Sequence, residues 1–173
     1  MNKIKVLLLL ILPNLTFANE PDVTWFGDWG MLKSSPREGF YPRNLIGFSK
    51  DGDLKLKYYC ASDSKSGFKK SSLSLLLQDE MVVVGRTYVT VHYETDIDKG
   101  NFLVTDVSAH DKKTVNLENL HLWETLKKSG KVRFALEGYD ADARNQTFKF
   151  KYMDIDLKDF NYAVSETNKS CRL

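Results

Sequence analysis

The sequence predicts a mainly β fold, an antiparallel β-sandwich with one or two short helices and one disulfide. Three observations predict it. Strand-like runs recur about every ten residues with turn residues between them. Helical spacing is confined to two short segments, and the chain holds two cysteines behind what reads as an export signal.

The elements follow in chain order. Asn19 to Phe48 is dense in aromatics (Trp25, Phe26, Trp29, Phe40, Tyr41, Phe48) broken by glycine and proline, which predicts short strands and loops. These rings read first as core plugs. A ligand groove using Trp25 and Trp29 is the other reading, because rings supply large contact area. Leu54, Leu56, Tyr58 and Cys60 alternate with Lys55, Lys57 and Tyr59, the period-two pattern of a half-buried strand. Ala61 to Ser72 is polar and reads as a loop that contains Phe68. Leu73–Leu77, Met81–Val84, Tyr88–Tyr93 and Phe102–Val107 read as further strands, with Asp98-Lys99-Gly100-Asn101 as a hairpin connection. Leu117, Leu120, Trp123 and Leu126 stand at helical spacing, Asn116 or Asn119 suits the cap, and Ser129-Gly130 ends the helix. Lys131–Glu137 and Thr147–Met153 alternate again. Asp156–Ser170 reads as a last short helix, with Phe160, Ala163 and Val164 inward, that delivers Cys171.

Met1 to Ala18 has the layout of a secretory signal peptide. Lys3 and Lys5 precede the apolar run Val6–Leu12, and Thr16-Phe17-Ala18 offers a small-residue cleavage boundary. The run is far short of the roughly 20 residues that span a bilayer, so no stable membrane insertion is expected after cleavage. Cleavage after Ala18 leaves 155 of the 173 residues, enough for a single β-rich domain over 19–173. The leader holds two of the 25 basic residues and none of the 23 acidic ones, so the rest of the chain is balanced. A balanced, interspersed charge gives no electrostatic reason to invoke nucleic acid. In an exported chain, Cys60 and Cys171 pair most simply as one disulfide closing a long loop.

Chemistry is harder to find. The chain has no Gly-x-Ser-x-Gly elbow, no His-Glu-x-x-His and no glycine-rich phosphate loop. His92 falls on the polar face of a strand, His110 in a loop and His121 on the short helix; each reads as structural or solvated. Asp96 with Asp98, and Asp140 with Asp142, carry oxygen ligands of the kind calcium takes, but charged turn residues are the simpler reading. No enzyme, metal or cofactor is expected. Asn145 and Asn168 stand in glycosylation patterns and are read as loop asparagines, because the leucine-rich leader looks bacterial.

The order of segments carries a resemblance. A strand ending in Cys60 is followed by Ser72–Leu77, by Thr87-Tyr88-Val89-Thr90-Val91-His92-Tyr93-Glu94-Thr95-Asp96, and by a helix ending Leu126-Lys127-Lys128-Ser129-Gly130-Lys131. A Phe-x-Phe strand, Asp156-Leu157-Lys158-Asp159-Phe160-Asn161-Tyr162-Ala163 and a final cysteine complete it. This resembles the VasI/TagO-like periplasmic proteins associated with type VI secretion and related envelope β-sandwiches. Where that family tends to have Tyr-Arg-x-Asp, this chain reads Tyr93-Glu94-Thr95-Asp96. The resemblance implies a non-enzymatic accessory role. The expectation is a periplasmic or secreted domain that binds another envelope or secreted protein by a sheet face, an edge strand or a loop. An inhibitor or immunity protein that plugs a cell-wall hydrolase or toxin with the Asp63–Lys70 loop is the alternative. A carbohydrate or small-molecule module is the further one. Trp25, Trp29 and Phe68 are the candidate contact residues.

Overall fold

A computed structural model describes residues 22–33, 39–49, 52, 54–83, 87–105, 107 and 111–173. The signal segment 1–18, Val84 and His110 lie outside the described residues. Among the described residues ten strands form two antiparallel sheets, as the alternation predicts. The larger sheet orders β1 (Val23–Phe26), β2 (Trp29–Lys33), β3 (Arg43–Phe48), β4 (Leu54–Ser62), β5 (Lys69–Leu77) and β8 (Thr114–Asn116). The smaller orders β10 (Asn145–Asp156), β9 (Lys131–Asp140), β6 (Thr87–Thr95) and β7 (Lys99–Val104). Two helices complete it, α1 (Leu120–Leu126) and α2 (Phe160–Cys171).

The inner face of the large sheet is set by register. Met31, Leu45, Tyr58 and Leu73 lie in one cross-strand row, and Leu56, Leu75 and Val115 in the next. Val89, Val91, Phe134, Leu136 and Ile155 from the small sheet share the same buried cluster. The small sheet covers only part of that inner face, and α2 packs on β2, β3 and β4 over another part. Phe160, Ala163, Val164, Thr167 and Cys171 recur at helical spacing and are all buried, so one stripe of α2 faces the sheet.

Four links fix the C-terminal turn of α2. Cys171 is disulfide-bonded to Cys60, and Ser62 Oγ donates to the Cys171 carbonyl. Arg43 Nε donates to Ser170 Oγ at 2.7 Å, and the Tyr58 hydroxyl donates to Asn168 Oδ1 at 2.6 Å. At the other end Trp29, fully buried, packs on Phe160 with ring centroids 4.7 Å apart and donates its indole N–H to the Lys158 carbonyl. Gly47 makes room for that ring, since a Cβ there would lie 2.5 Å from it.

Several local expectations change. Residues 61–72, read as a loop, are mostly a continued ladder in which Ala61 pairs with Lys70 and Ser62 with Lys69. The backbone pairing persists although the side chains lose their apolar alternation. Met81–Val83 is not a strand; Met81 plugs the core from a segment whose N–H bonds the Lys112 carbonyl. The turn between β6 and β7 falls on 96–98, earlier than expected. Asn145 opens β10 and Asn168 lies within α2, so neither is a loop asparagine.

Two stability predictions follow from the packing. Replacing both Cys60 and Cys171 by serine opens a loop with a sequence separation of 111 and should cost about 4 kcal/mol in urea unfolding. An unchanged midpoint would show that the bridge does not constrain the chain. Gly47→Ala should cost roughly 1–3 kcal/mol, because the enclosed Trp29 ring has nowhere to go.

Candidate functional site

β5 is paired along its whole length with β4 but along only part of its outer side. There β8 meets Ser74, Leu75 and Leu76, and the Leu117 N–H bonds the Leu73 carbonyl. The chain then leaves the sheet, because Asn119 caps α1 by accepting the Leu122 N–H at 2.9 Å. From Lys69 to Ser72 no strand among the described residues lies outside β5. Backbone direction alternates along a strand. Leu73 and Leu77 bond outward, to Leu117 and Lys113, so the N–H and C=O of Lys69 and Ser71 also point outward.

A groove runs beside this edge. It has a volume of about 610 Å³. Its apolar wall is Leu73, Leu117, Leu120, Trp123 and Leu173, with Tyr58 and Asn168 at its base. Trp123 stacks on Tyr58 at 5.4 Å between centroids, edges onto Phe160, and carries Lys127 Nζ over its ring. Leu120 is 76% exposed and Leu173 39% exposed, so two apolar side chains face solvent at the rim. Burial raises the Tyr58 hydroxyl above the ordinary tyrosine range, opposed by hydrogen bonds to Ser71 and Asn168.

The hairpin tip that feeds β5 is built rather than loose. Asp63 Oδ1 accepts the Lys65 N–H at 2.8 Å, its Oδ2 accepts the Ser66 hydroxyl at 2.8 Å, and its carbonyl accepts the Gly67 N–H. Gly67 takes φ +71°, which returns the chain to β5 and leaves Phe68 47% exposed. The Lys65 N–H first, then the Ser66 hydroxyl, hold the Asp63 carboxyl below the ordinary aspartate range.

The remaining candidates are dispersed. Trp25 and Trp29 stand on opposite faces of the β1–β2 hairpin, yet both line one depression of about 510 Å³ beside Gly47 and Phe48. Trp25 is 62% exposed on the outer face, its ring over Gly30, whereas Trp29 points into the core and is no exposed contact residue. His92 lies on the outer face of the small sheet, Nε2 3.6 Å from Glu137, which Lys149 and Tyr139 also engage. His121 Nε2 and the Tyr93 hydroxyl both meet Asp98 Oδ2, at 2.8 and 3.0 Å, and hold its carboxyl below the ordinary range. Asp96 accepts the Gly130 N–H, and Asp140 accepts the N–H groups of Asp142 and Ala143. Three of the four aspartates paired by sequence thus have defined structural partners.

The edge was missed in the sequence because Lys69–Ser72 is polar. One signal was available. The Leu73–Leu75–Leu77 alternation extends backward onto Ser71 and Lys69, and Gly67 marks where a turn ends.

The fold is similar to that of invasion associated protein B from Bartonella henselae, with a TM-score of 0.51 and 10% sequence identity. The match covers 87% of this chain and 99% of that one. At that identity it is a likeness of fold. No protein-family model matches the chain, and no curated protein matches it.

The tip geometry gives a pH prediction. The depressed Asp63 pKa means its stabilisation is present above the ordinary aspartate range and is lost as pH falls through the depressed value. The Lys65 amide resonance should therefore titrate with a midpoint below the ordinary aspartate range, and Asp63→Ala should abolish the transition. A Lys65 amide that ignores Asp63 would contradict the assigned turn.

Proposed function

We propose that this protein is an exported, non-catalytic accessory domain of the cell envelope. It binds another envelope or secreted protein along the open edge of β5. The observation that carries the reading is a run of strand, Lys69–Ser72, with outward backbone groups beside a groove rimmed by exposed Leu120 and Leu173. Open strand edges accept extended segments through main-chain hydrogen bonds, while neighbouring pockets select side chains. Four residues at about 3.3 Å each give a contact roughly 13 Å long. The leader layout supports export, and a buried disulfide suits an oxidising compartment. The resemblance to VasI/TagO-like proteins offers type VI secretion as one setting.

The inhibitor or immunity reading stands second, favoured by the ordered Asp63–Gly67 tip that holds Phe68 outward. A preorganised tip loses little entropy on entering a cleft.

Cross-linked capture from the native envelope tests both readings. Wild-type mature protein is compared with Ser71→Pro, which removes one outward N–H while sparing the β4 ladder, and with Tyr152→Ser on the opposite sheet as control. A specific partner should be recovered with wild type and the control and fall roughly tenfold with Ser71→Pro. Recovery indifferent to Ser71→Pro would reject edge docking. Secretion components among the partners favour the accessory role; a single hydrolase or toxin favours the inhibitor.

A further inference from the structure

We infer that the segment received at this edge is four residues long, runs antiparallel to β5, and places one large apolar residue before two consecutive carboxylates. The inference rests on the docking reading above and adds the chemistry of the occupant.

Length comes from what is already paired. Leu117 holds the Leu73 carbonyl at one end, and at the other β5 begins at Lys69, where the Asp63–Phe68 tip turns the chain back to β4. The space between them faces Lys69, Lys70, Ser71 and Ser72. Direction comes from β8. That strand runs antiparallel to β5 and leaves the sheet at Leu117, so an antiparallel segment takes up the line that β8 abandons. Every strand pair in both sheets is antiparallel, the slightly more stable arrangement.

Side-chain order then follows from the pleat. Residues directly opposite each other share a face. By alternation Ser71 and Lys69 share the inner face of the sheet with Leu73, and Ser72 and Lys70 the outer face, while Lys70, Ser71 and Ser72 together line the groove along the edge. Read from its N-terminus, the segment meets Ser72, Ser71, Lys70 and Lys69 in turn. Its second residue enters the groove toward Leu120, Trp123 and Leu173, which calls for a large apolar side chain. Its third and fourth residues stand against Lys70 and Lys69, both exposed and without a carboxylate partner among the described residues. Glu118 also lines the groove, but next to Leu117 at the opposite end. The carboxylate preference is therefore confined to the lysine end, and the polarity of charge agrees with the direction.

Amide chemical-shift titration of the mature protein tests the assignment with three short peptides. One carries Ser-Phe-Asp-Glu between glycines, one Ser-Phe-Lys-Lys, and one Ser-Ser-Asp-Glu. The first should shift Lys69–Ser72 and the Trp123 indole, and bind roughly fivefold more tightly than the lysine peptide, two exposed ion pairs being worth about that much. The serine peptide should lose most of the binding. Lys69→Glu with Lys70→Glu should reverse the order of the charged peptides, and both positions are exposed enough to leave folding intact. Equal binding of the charged peptides, an order unmoved by charge reversal, shifts elsewhere on the surface, or no binding by any peptide would each overturn the inference. If Ser71→Pro still abolishes partner capture in that case, edge docking stands and only this pattern falls. If Ser71→Pro is silent, the docking reading itself has failed.

Discussion

The bond between Cys60 and Cys171 joins the middle of the large sheet to the last turn of α2, and the candidate site depends on that join. Cys60 sits on the inner face of β4, paired across the ladder with Ser71 of β5. Holding Cys171 there places Asn168 under the Tyr58 hydroxyl and Leu173 at the groove rim. Ser62 and Arg43 hold the same helix turn from neighbouring positions. The cross-link also removes entropy from the unfolded chain, so the helix stays docked at little local cost. The groove draws Asn168 at its base and Leu173 at its rim from the helix held this way.

The large sheet has more inner face than its partner sheet covers, and α1 and α2 fill the remainder with Trp123 and Phe160 as the filling groups. α1 starts where β8 stops, so capping by Asn119 and exposure of the β5 edge are two results of one turn in the chain. An open edge is ordinarily an aggregation hazard, and lysines on it are a common protection. Lys69 and Lys70 serve that end here, since two β5 edges paired antiparallel would bring like charges together. The same lysines leave the edge receptive to a segment of opposite charge. Under the proposed docking, exclusion of self and selection of a partner draw on one feature.

Much of the fold was legible because burial imposes period two on β4 and period 3.6 on α2. Leu54–Cys60 and a last helix, expected over Asp156–Ser170 and found over Phe160–Cys171 because Asp156 still belongs to β10, are readable for that reason, and Asn119 is one of two caps the spacing allows. What escaped was set by tertiary context. β8 is three residues long, and the Lys69–Ser72 ladder is held by pairing with β4 rather than by apolar side chains. Trp25 and Trp29 look equivalent in sequence, yet four positions and a tight turn place them on opposite faces. Met81 carries a core side chain without a strand, because its backbone is satisfied by Lys112 instead of a ladder.

Hydrogen exchange at single amides of β5 tests the central claim most directly. The account predicts alternation in the free protein. Lys70 and Ser72, bonded to β4, should exchange slowly, whereas Lys69 and Ser71, directed outward, should exchange quickly and become protected when a partner binds. Uniform protection from Lys69 to Ser72 in the free protein would mean the edge is already covered and would contradict the account.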